Sequence, residues 1–254
     1  YQSEAVSNDV LSNWYKKIWE HGWRLENFQT AGNWLLMEMN GLAHIGILFP
    51  ELKDSKRWVD FAFDKMTGEL TSQLYPDGFQ YELTTEYHLV LLQNYRSLIQ
   101  IAQIYDVDVP TAFHEHLKNA YAVNLWLMMP DGRLPNVNDG TWGKIMNIMR
   151  TAASFYPEEE AFQWAATEGS EGTSPEITSF SFPYAGYFIM RNSWEKDAVW
   201  ALFDGGPFGY AHQHEDKLNL MIHAYGSLLL TEGARYAYDT SDMRKYILST
   251  RAHN

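Results

Sequence analysis

The chain has 254 residues, 46% of them hydrophobic, which is enough for one large domain or two ordinary ones with a sizeable core. Its formal net charge of -13 argues against general nucleic-acid binding, which needs basic surface. It has no cysteines, so disulfides are excluded and a metal would need histidine and carboxylate ligands. No apolar run reaches the length of a membrane span.

The first two-thirds of the chain is predicted to be helical. Apolar residues recur at helical spacing between Pro and Gly turns in the segments 11–22, 33–48, 58–74, 84–105, 112–129 and 143–155. Successive helices with short connections favour stacked antiparallel pairs. Such pairs can curl into an incomplete α/α toroid, although periodicity alone fits a bundle or a solenoid equally well.

The helical pattern ends in a polar segment rich in Gly, Ser, Thr and Glu, residues 167–177, which predicts a linker. It separates a helical domain, residues 1–166, from a β domain, residues 178–254. In the β domain, alternating apolar segments predict two antiparallel hairpins, formed by 184–191 with 198–203 and by 218–224 with 227–230. These strands are too few to close a large sandwich, so we expect the natural protein to continue beyond this chain.

The triplet His212-Gln213-His214 is the most informative candidate for chemistry. On a strand, residues two apart point to the same side, so both imidazoles would face one site. That arrangement suits metal binding or a histidine-lined active site. The alternative is two surface histidines in a loop that follows Phe208-Gly209-Tyr210.

Other polar residues are less specific. His214, Glu232 and His253 would make a two-histidine, one-carboxylate zinc set, although they are widely spaced. Asp139, next to Gly140, is interpreted as a turn and helix-capping residue. Polar residues on the apolar helices are more simply caps, exposed groups or satisfied core groups: Asn33, Glu38, Glu82, Tyr87 and His88. The aromatic content of 15% fits either a core or a sugar-binding cleft.

Taken together, several segments resemble the heparinase II/III-like polysaccharide lyases. The segment from His212 to Leu218 resembles the family's His-x-His-x-Asp strand, and Ser249 to Asn254 resembles its Ser-Thr-x-Ala-His-Asn motif. The helical part is similar at Gly32-Asn33-Trp34, Glu38-Met39-Asn40-Gly41-Leu42, Leu48-Phe49-Pro50-Glu51, Tyr75-Pro76-Asp77-Gly78 and Glu82-Leu83-Thr84-Thr85-Glu86-Tyr87-His88. The resemblance implies an α/α toroid followed by a β-sandwich of antiparallel sheets. This chain would be an internal fragment of both.

The resemblance also implies site residues. The catalytic set is Tyr87 as acid or base, Asn33 at the substrate carboxylate, His212 at the catalytic centre and Tyr238, chosen over Tyr236. The substrate-binding set is Trp34, Glu38, Glu82, His88 and Arg235. A structural zinc would be held by His214, Glu232 and His253. The chain departs from the family pattern twice: Trp34 stands where alginate lyases carry His, and Glu232 stands where Asp is usual.

The activity that the resemblance implies is β-elimination on an acidic polysaccharide. The carboxylate of a uronate opposes carbanion formation at C5, so donors such as Asn33 and His212 must hold it while an acid and a base move protons. We expect a heparin- or heparan sulfate-like substrate, with alginate or another uronan second. Two other classes stay open: an inverting glycoside hydrolase using Glu38, Glu82 or Glu86, and a non-catalytic sugar-binding protein.

The expected location is periplasmic or secreted. The chain lacks a starting Met, and its first residues look unlike a secretion signal. A removed signal or a missing N-terminal region would explain this equally well.

Overall fold

The computed structural model describes residues 6–254. They form two compact units: one holds the described residues up to Thr71 with Gln93–Phe113, and the other holds Ser72–Leu92 with His114–Asn254. The elements in chain order are α1 Asn8–Asn27, α2 Gly32–Leu48, α3 Ser55–Gln73, α4 Thr85–Ile104, α5 Thr111–Leu127, α6 Met146–Phe155, α7 Glu160–Ala166, β1 Ser179–Phe182, β2 Tyr187–Arg191, β3 Trp200–Asp204, β4 Leu220–Ala224, β5 Ser227–Leu230, α8 Asp242–Leu248 and a 3₁₀ turn, Thr250–Ala252. No helix within 6–254 has the length and apolar character that crossing a membrane requires.

The first unit is a helical core. Leu36, Met39 and Leu42 on α2 recur every three residues and are fully buried, as helical periodicity predicts. Trp58 of α3 is also fully buried. Its ring lies against Gly22 of α1, where an added Cβ would stand 2.5 Å from the indole. Only glycine fits at that position, so α1 and α3 can approach closely.

The second unit contains an antiparallel sheet with the strand order β1-β2-β3-β4-β5. On β2, Tyr187, Ile189 and Arg191 are buried and alternate with the exposed Phe188 and Met190. That alternation places one face of the strand in the core. Each strand pairs with its neighbour in sequence. Between β4 and β5, a register shift at Ile222/His223 interrupts the pairing.

A tight turn, Tyr75 to Gly78, precedes α4, the helix that carries Tyr87. Gly78 donates to the carbonyl of Tyr75 at 2.8 Å and has a φ of +86°. Its position is closed to side chains, since a Cβ would stand 2.8 Å from the backbone of Asn119. Asp77 accepts hydrogen bonds from the backbone of Tyr184 and Ala185 at 2.9 and 3.0 Å. This turn therefore also anchors the approach to β2.

The predicted helices and hairpins are confirmed, with changes at their ends. The sequence pattern missed four short elements, α7, β1, α8 and the 3₁₀ turn, because fewer than eight residues rarely establish a period. β2 begins at Tyr187 because a turn with Gly186 at φ +77° precedes it. β4 begins at Leu220 because Leu218 has a φ of +69°, outside the extended region.

Candidate active site

Three of the four predicted catalytic residues lie together in the second unit. Tyr87 stands in the first turn of α4, where its backbone N–H donates to the Thr84 hydroxyl at 3.4 Å. Its ring stacks on the His212 imidazole with the ring centres 3.7 Å apart and the planes 12° apart. The hydroxyls of Tyr87 and Tyr238 are 2.7 Å apart, and the Tyr238 oxygen is 3.0 Å from Nδ1 of His212. The three side chains form one hydrogen-bonded cluster, here called the tyrosine–histidine cluster.

The prediction that His212-Gln213-His214 lies on a strand is wrong. The triplet lies in the loop between β3 and β4, and His212 has a φ of +60°. The two imidazoles still converge, because both contact the same carboxylate, Asp139. Convergence therefore comes from a shared partner and not from strand pleating. On its other nitrogen, His212 Nε2 is 3.5 Å from the Glu82 carboxylate.

Asp139 is the residue that the sequence interpretation placed least well. It lies in a turn, but it caps no helix, because α6 begins only at Met146. It is fully buried. Its Oδ2 is 3.2 Å from His212 Nδ1 and its Oδ1 is 2.9 Å from His214 Nε2, while the two terminal guanidinium nitrogens of Arg244 donate to it at 2.6 and 2.8 Å. Burial alone would raise the pKa of Asp139, but these hydrogen bonds hold it well below its usual range.

The predicted zinc ligands form a second cluster, here called the buried triad. One ligand atom each from His214, Glu232 and His253 lies within 4.8 Å of the others. Nδ1 of His253 is 2.8 Å from a Glu232 carboxylate oxygen, and the amide of Asn219 donates to the same carboxylate. Burial would lower the pKa of His253, but the hydrogen bond and charge of Glu232 outweigh burial and raise it.

Two nitrogens of the buried triad have no hydrogen-bond partner among residues 6–254: Nδ1 of His214 and Nε2 of His253. An unpaired buried polar atom is costly, so such atoms need an unseen partner. Two imidazole nitrogens and a carboxylate are the donor set that zinc prefers. The residues present therefore fit a zinc ion.

Two predicted substrate-binding residues of the second unit, Arg235 and His88, lie in different surroundings. Arg235 lies over the Tyr238 ring at 5.3 Å, at the tyrosine–histidine cluster. His88 instead is buried in the core: its Nε2 contacts the Ala120 carbonyl at 2.8 Å, and its Nδ1 accepts from the Gln80 backbone at 3.3 Å. Burial lowers the pKa of His88 to about 4. The substrate-binding assignment of His88 is corrected accordingly, because both ring nitrogens are already engaged by backbone.

The other predicted residues, Asn33, Trp34 and Glu38, belong to the first unit. Asn33 is buried near the start of α2, and Trp34 is 71% exposed. Glu38 accepts a hydrogen bond from the backbone of Thr30 at 2.8 Å, which orders the approach to the helix. The roles of these three residues toward substrate stay predictions.

The sequence reasoning overlooked Arg244. This side chain lies on α8, a seven-residue helix without a detectable period, and reaches both Asp139 and the carbonyl of Arg235. It also lies over the Tyr238 ring at 5.4 Å. The sequence shows an arginine on α8 and an aspartate in the Pro- and Asn-rich turn that holds Asp139. Nothing in the sequence alone indicates that these two residues form a pair.

Comparison with known proteins places the chain in a family. The model of the heparinase II/III N-terminus matches residues 1–164, and the model of the heparinase II/III-like C-terminal domain matches residues 175–254. The chain is 27% identical over 262 residues to a heparin-sulfate lyase of Bacteroides stercoris, covering 99% of this chain and 39% of that protein. It is 25% identical over 240 residues to a heparin-sulfate lyase of Pedobacter heparinus, covering 90% and 36%. The chain thus spans under two-fifths of the length of these curated relatives.

Solved structures agree on the fold. A heparinase III gene product matches with a TM-score of 0.89 and 26% identity over 99% of this chain and 41% of that one. A crystal structure of heparinase III matches with a TM-score of 0.92 and 21% identity over 100% and 43%. These likenesses confirm the predicted fold class, helical toroid elements followed by an antiparallel sheet, and they confirm the resemblance that the motifs indicated.

Proposed function

This chain belongs to the heparinase II/III family, and from that premise we propose that it carries the catalytic centre of a polysaccharide lyase. The proposed reaction is β-elimination on an acidic, uronate-containing chain. The observation that carries the proposal is the tyrosine–histidine cluster, in which two phenols and an imidazole lie within hydrogen-bonding distance of one another. β-Elimination needs a base that removes the proton and an acid that protonates the leaving oxygen, and a phenol can act as either.

The proposed chemistry breaks two bonds and forms one double bond. The C5–H bond breaks and its proton passes to a base, the electron pair forms the C4–C5 double bond, and the C4–O bond breaks while an acid protonates the departing oxygen. Tyr87 is the proposed proton-transfer group. Accepting a hydrogen bond from Tyr238 would stabilise Tyr87 when its oxygen carries negative charge.

Tyr238 is proposed to keep its own proton. Partial burial, the hydrogen bond with Tyr87 and the charge of Asp139 together raise the pKa of Tyr238. A phenol that stays neutral can donate to Tyr87 throughout the reaction. His212 is proposed to lie at the catalytic centre, because its ring is partly exposed while the neighbouring His214 is buried. Asn33 is expected to hold the substrate carboxylate.

We propose that the buried triad holds one structural zinc ion. The assignment is supported by two triad nitrogens that have no hydrogen-bond partner within residues 6–254 and by the adjacent Glu232 carboxylate. Zinc bound there would tie together the loop after β3, the end of β5 and the C-terminal segment, and so add its binding energy to folding. His212 is assigned no part in the metal site, since its Nδ1 faces Asp139 and Tyr238.

The proposed substrate class is heparan sulfate-like, because the curated relatives carry the name heparin-sulfate lyase. The overall charge of -13 requires the basic groups to be concentrated locally. Arg235 is proposed as one such group, since its guanidinium lies over the Tyr238 ring at the tyrosine–histidine cluster. Trp34 in place of the alginate-lyase histidine favours heparan sulfate over alginate.

The test uses the full-length protein and a panel of polysaccharides: heparan sulfate, heparin, alginate and an uncharged glucan as control. A lyase produces an unsaturated uronate with a new ultraviolet absorbance, and we expect this with heparan sulfate or heparin. Cleavage that gives reducing ends without the absorbance would overturn the proposal in favour of a hydrolase using Glu38, Glu82 or Glu86. Binding without cleavage would indicate a sugar-binding protein.

A further inference from the structure

Asp139 contacts both clusters, although neither contains it. We propose that Asp139 is a positioning residue whose two carboxylate oxygens set the tautomers of His212 and His214, so that one buried anion orients the catalytic imidazole and a zinc ligand together. The consequence for catalysis rests on the proposed function above. The consequence for the two imidazoles does not depend on it.

The segment around Asp139 is fixed by hydrogen bonds to several other segments. The Asn138 amide oxygen accepts from the backbone N–H of His214 at 2.8 Å, and the Asn138 amide nitrogen donates to the Leu83 carbonyl at 3.0 Å. The Asn136 amide donates to the Glu232 carbonyl at 3.0 Å. The backbone N–H of Asp139 donates to the His212 carbonyl at 3.2 Å. This one turn therefore holds both the loop that carries the two histidines and the segment that carries Glu232, and the Asp139 carboxylate has little freedom to move.

The Asp139 carboxylate determines which ring nitrogen of His212 carries the hydrogen. An ionised carboxylate can only accept hydrogen bonds, so the nitrogen facing it must carry the proton. Oδ2 of Asp139 is 3.2 Å from His212 Nδ1. The other carboxylate near this ring, that of Glu82, is farther away, at 3.5 Å from Nε2, so the neutral ring is assigned Nδ1–H and its Nε2 keeps a lone pair. The Tyr238 oxygen, 3.0 Å from the same Nδ1, must then accept as well.

This tautomer of His212 determines the direction of the hydrogen bonds in the tyrosine–histidine cluster. If Tyr238 accepts from His212, its own O–H is free to donate to the Tyr87 oxygen, 2.7 Å away. The Tyr87 O–H is then left to point away from the cluster toward a substrate. With the opposite tautomer of His212, Tyr238 would donate to the imidazole and could no longer donate to Tyr87. One carboxylate oxygen thus decides which way the chain of hydrogen bonds runs.

The second oxygen acts on the metal ligand. Oδ1 of Asp139 is 2.9 Å from His214 Nε2, so that nitrogen carries the proton. The lone pair of His214 is then on Nδ1, the buried nitrogen without a partner among residues 6–254. A carboxylate behind a metal-bound histidine fixes its tautomer and raises its basicity. Arg244 neutralises the shared anion through two short hydrogen bonds.

The test measures tautomers, metal and turnover separately. In the zinc-loaded full-length protein labelled with ¹⁵N-histidine, the ring signals of His212 and His214 are assigned from His212→Ala and His214→Ala. We expect Nδ1–H on His212 and Nε2–H on His214 in the wild type. In Asp139→Asn we expect the His212 signal to shift toward a tautomer mixture, zinc loss to a chelator to speed up on the order of 10–100-fold, and kcat to fall on a similar scale with KM little changed.

Two further variants separate positioning from bulk stability. Asp139→Glu keeps an acceptor and should recover part of the tautomer signal and zinc retention. Asp131→Asn removes a carboxylate in a turn outside both clusters and should change none of the three readouts. A folded Asp139→Asn protein with wild-type ring signals and wild-type zinc loss would overturn the proposal. If that variant does not fold, the opposite tautomers in the wild type would overturn it instead. A wild type without lyase activity would refute the proposed function, while the ring and zinc measurements still decide this inference.

Discussion

The tyrosine–histidine cluster and the buried triad each contain one histidine of the His212-Gln213-His214 triplet, yet the surroundings of these two histidines differ sharply. The His212 side chain is 27% exposed and stacks on a phenol, whereas the His214 side chain is wholly buried beside another imidazole. One site can meet a large substrate and the other cannot. The comparison teaches that exposure, and not residue type, distinguishes a histidine that can meet a substrate from one that is confined to the interior.

The largest expected effect comes from breaking the exposed cluster alone. Tyr87→Phe removes one oxygen and leaves the stacked ring, so turnover should fall about 10²–10⁴-fold, the usual value of a positioned acid or base. Substrate binding and thermal stability should stay near wild type. The measurement is steady-state production of unsaturated uronate, together with a binding assay and a melting curve. Near-normal turnover would remove Tyr87 from the proton-transfer role.

A matched pair of variants tests the choice of the second phenol. Tyr238→Phe removes a hydroxyl that contacts both Tyr87 and His212 and should also lower turnover strongly. Tyr236→Phe removes an exposed hydroxyl that makes no hydrogen bond within residues 6–254, and it should leave turnover unchanged. The reverse ranking would assign the active phenol to Tyr236.

The next prediction breaks the buried triad. His214→Ala should abolish zinc binding and cost about 4 kcal/mol of unfolding free energy when free zinc is near a thousand times its Kd. His212→Ala should retain the metal and the stability but lose turnover. Metal analysis and melts with and without chelator make the comparison. A metal-free wild type whose melt equals that of His214→Ala would refute the zinc proposal.

Another prediction sharpens the comparison with His88, a buried histidine whose two ring nitrogens contact only backbone groups within residues 6–254. The pKa of His88 is lowered to about 4 in the folded protein, so the unfolded chain, near 6.5, takes up its proton first. Stability should therefore fall as pH drops from 6.5 to 4, by about 3 kcal/mol. His88→Gln should flatten this part of the pH dependence, whatever its effect at pH 7. An identical slope in both proteins would contradict the assignment.

The smallest expected effect concerns the core beneath the site. The buried Tyr187 hydroxyl donates to the Leu83 carbonyl at 2.8 Å and accepts from the Asn138 amide at 3.1 Å. Tyr187→Phe should cost about 1–3 kcal/mol, because it leaves buried polar partners less satisfied. Phe188→Leu on the exposed face of the same strand serves as the control, and denaturant unfolding measures both. Equal losses would show that the hydroxyl contributes nothing specific.

Local patterns in the sequence were sufficient for the elements and for the family. Helical periodicity located α2 to α6, and alternation located the strands from β2 to β5, because each pattern records which face of a local element is buried. The spacing of the zinc candidates could not show convergence by itself. The family motif supplied it, and the 4.8 Å grouping of His214, Glu232 and His253 agrees with that prediction.

Tertiary structure alone decided how the clusters are connected. Asp139 and Arg244 are 105 positions apart, and no local period or turn rule links them. The same holds for the loop that carries His212, whose imidazole reaches Asp139 through a positive φ and not through strand pleating. Sequence periodicity reports the buried face of one element at a time. A shared carboxylate between loops is a long-range contact, and such contacts exist only once the chain is folded.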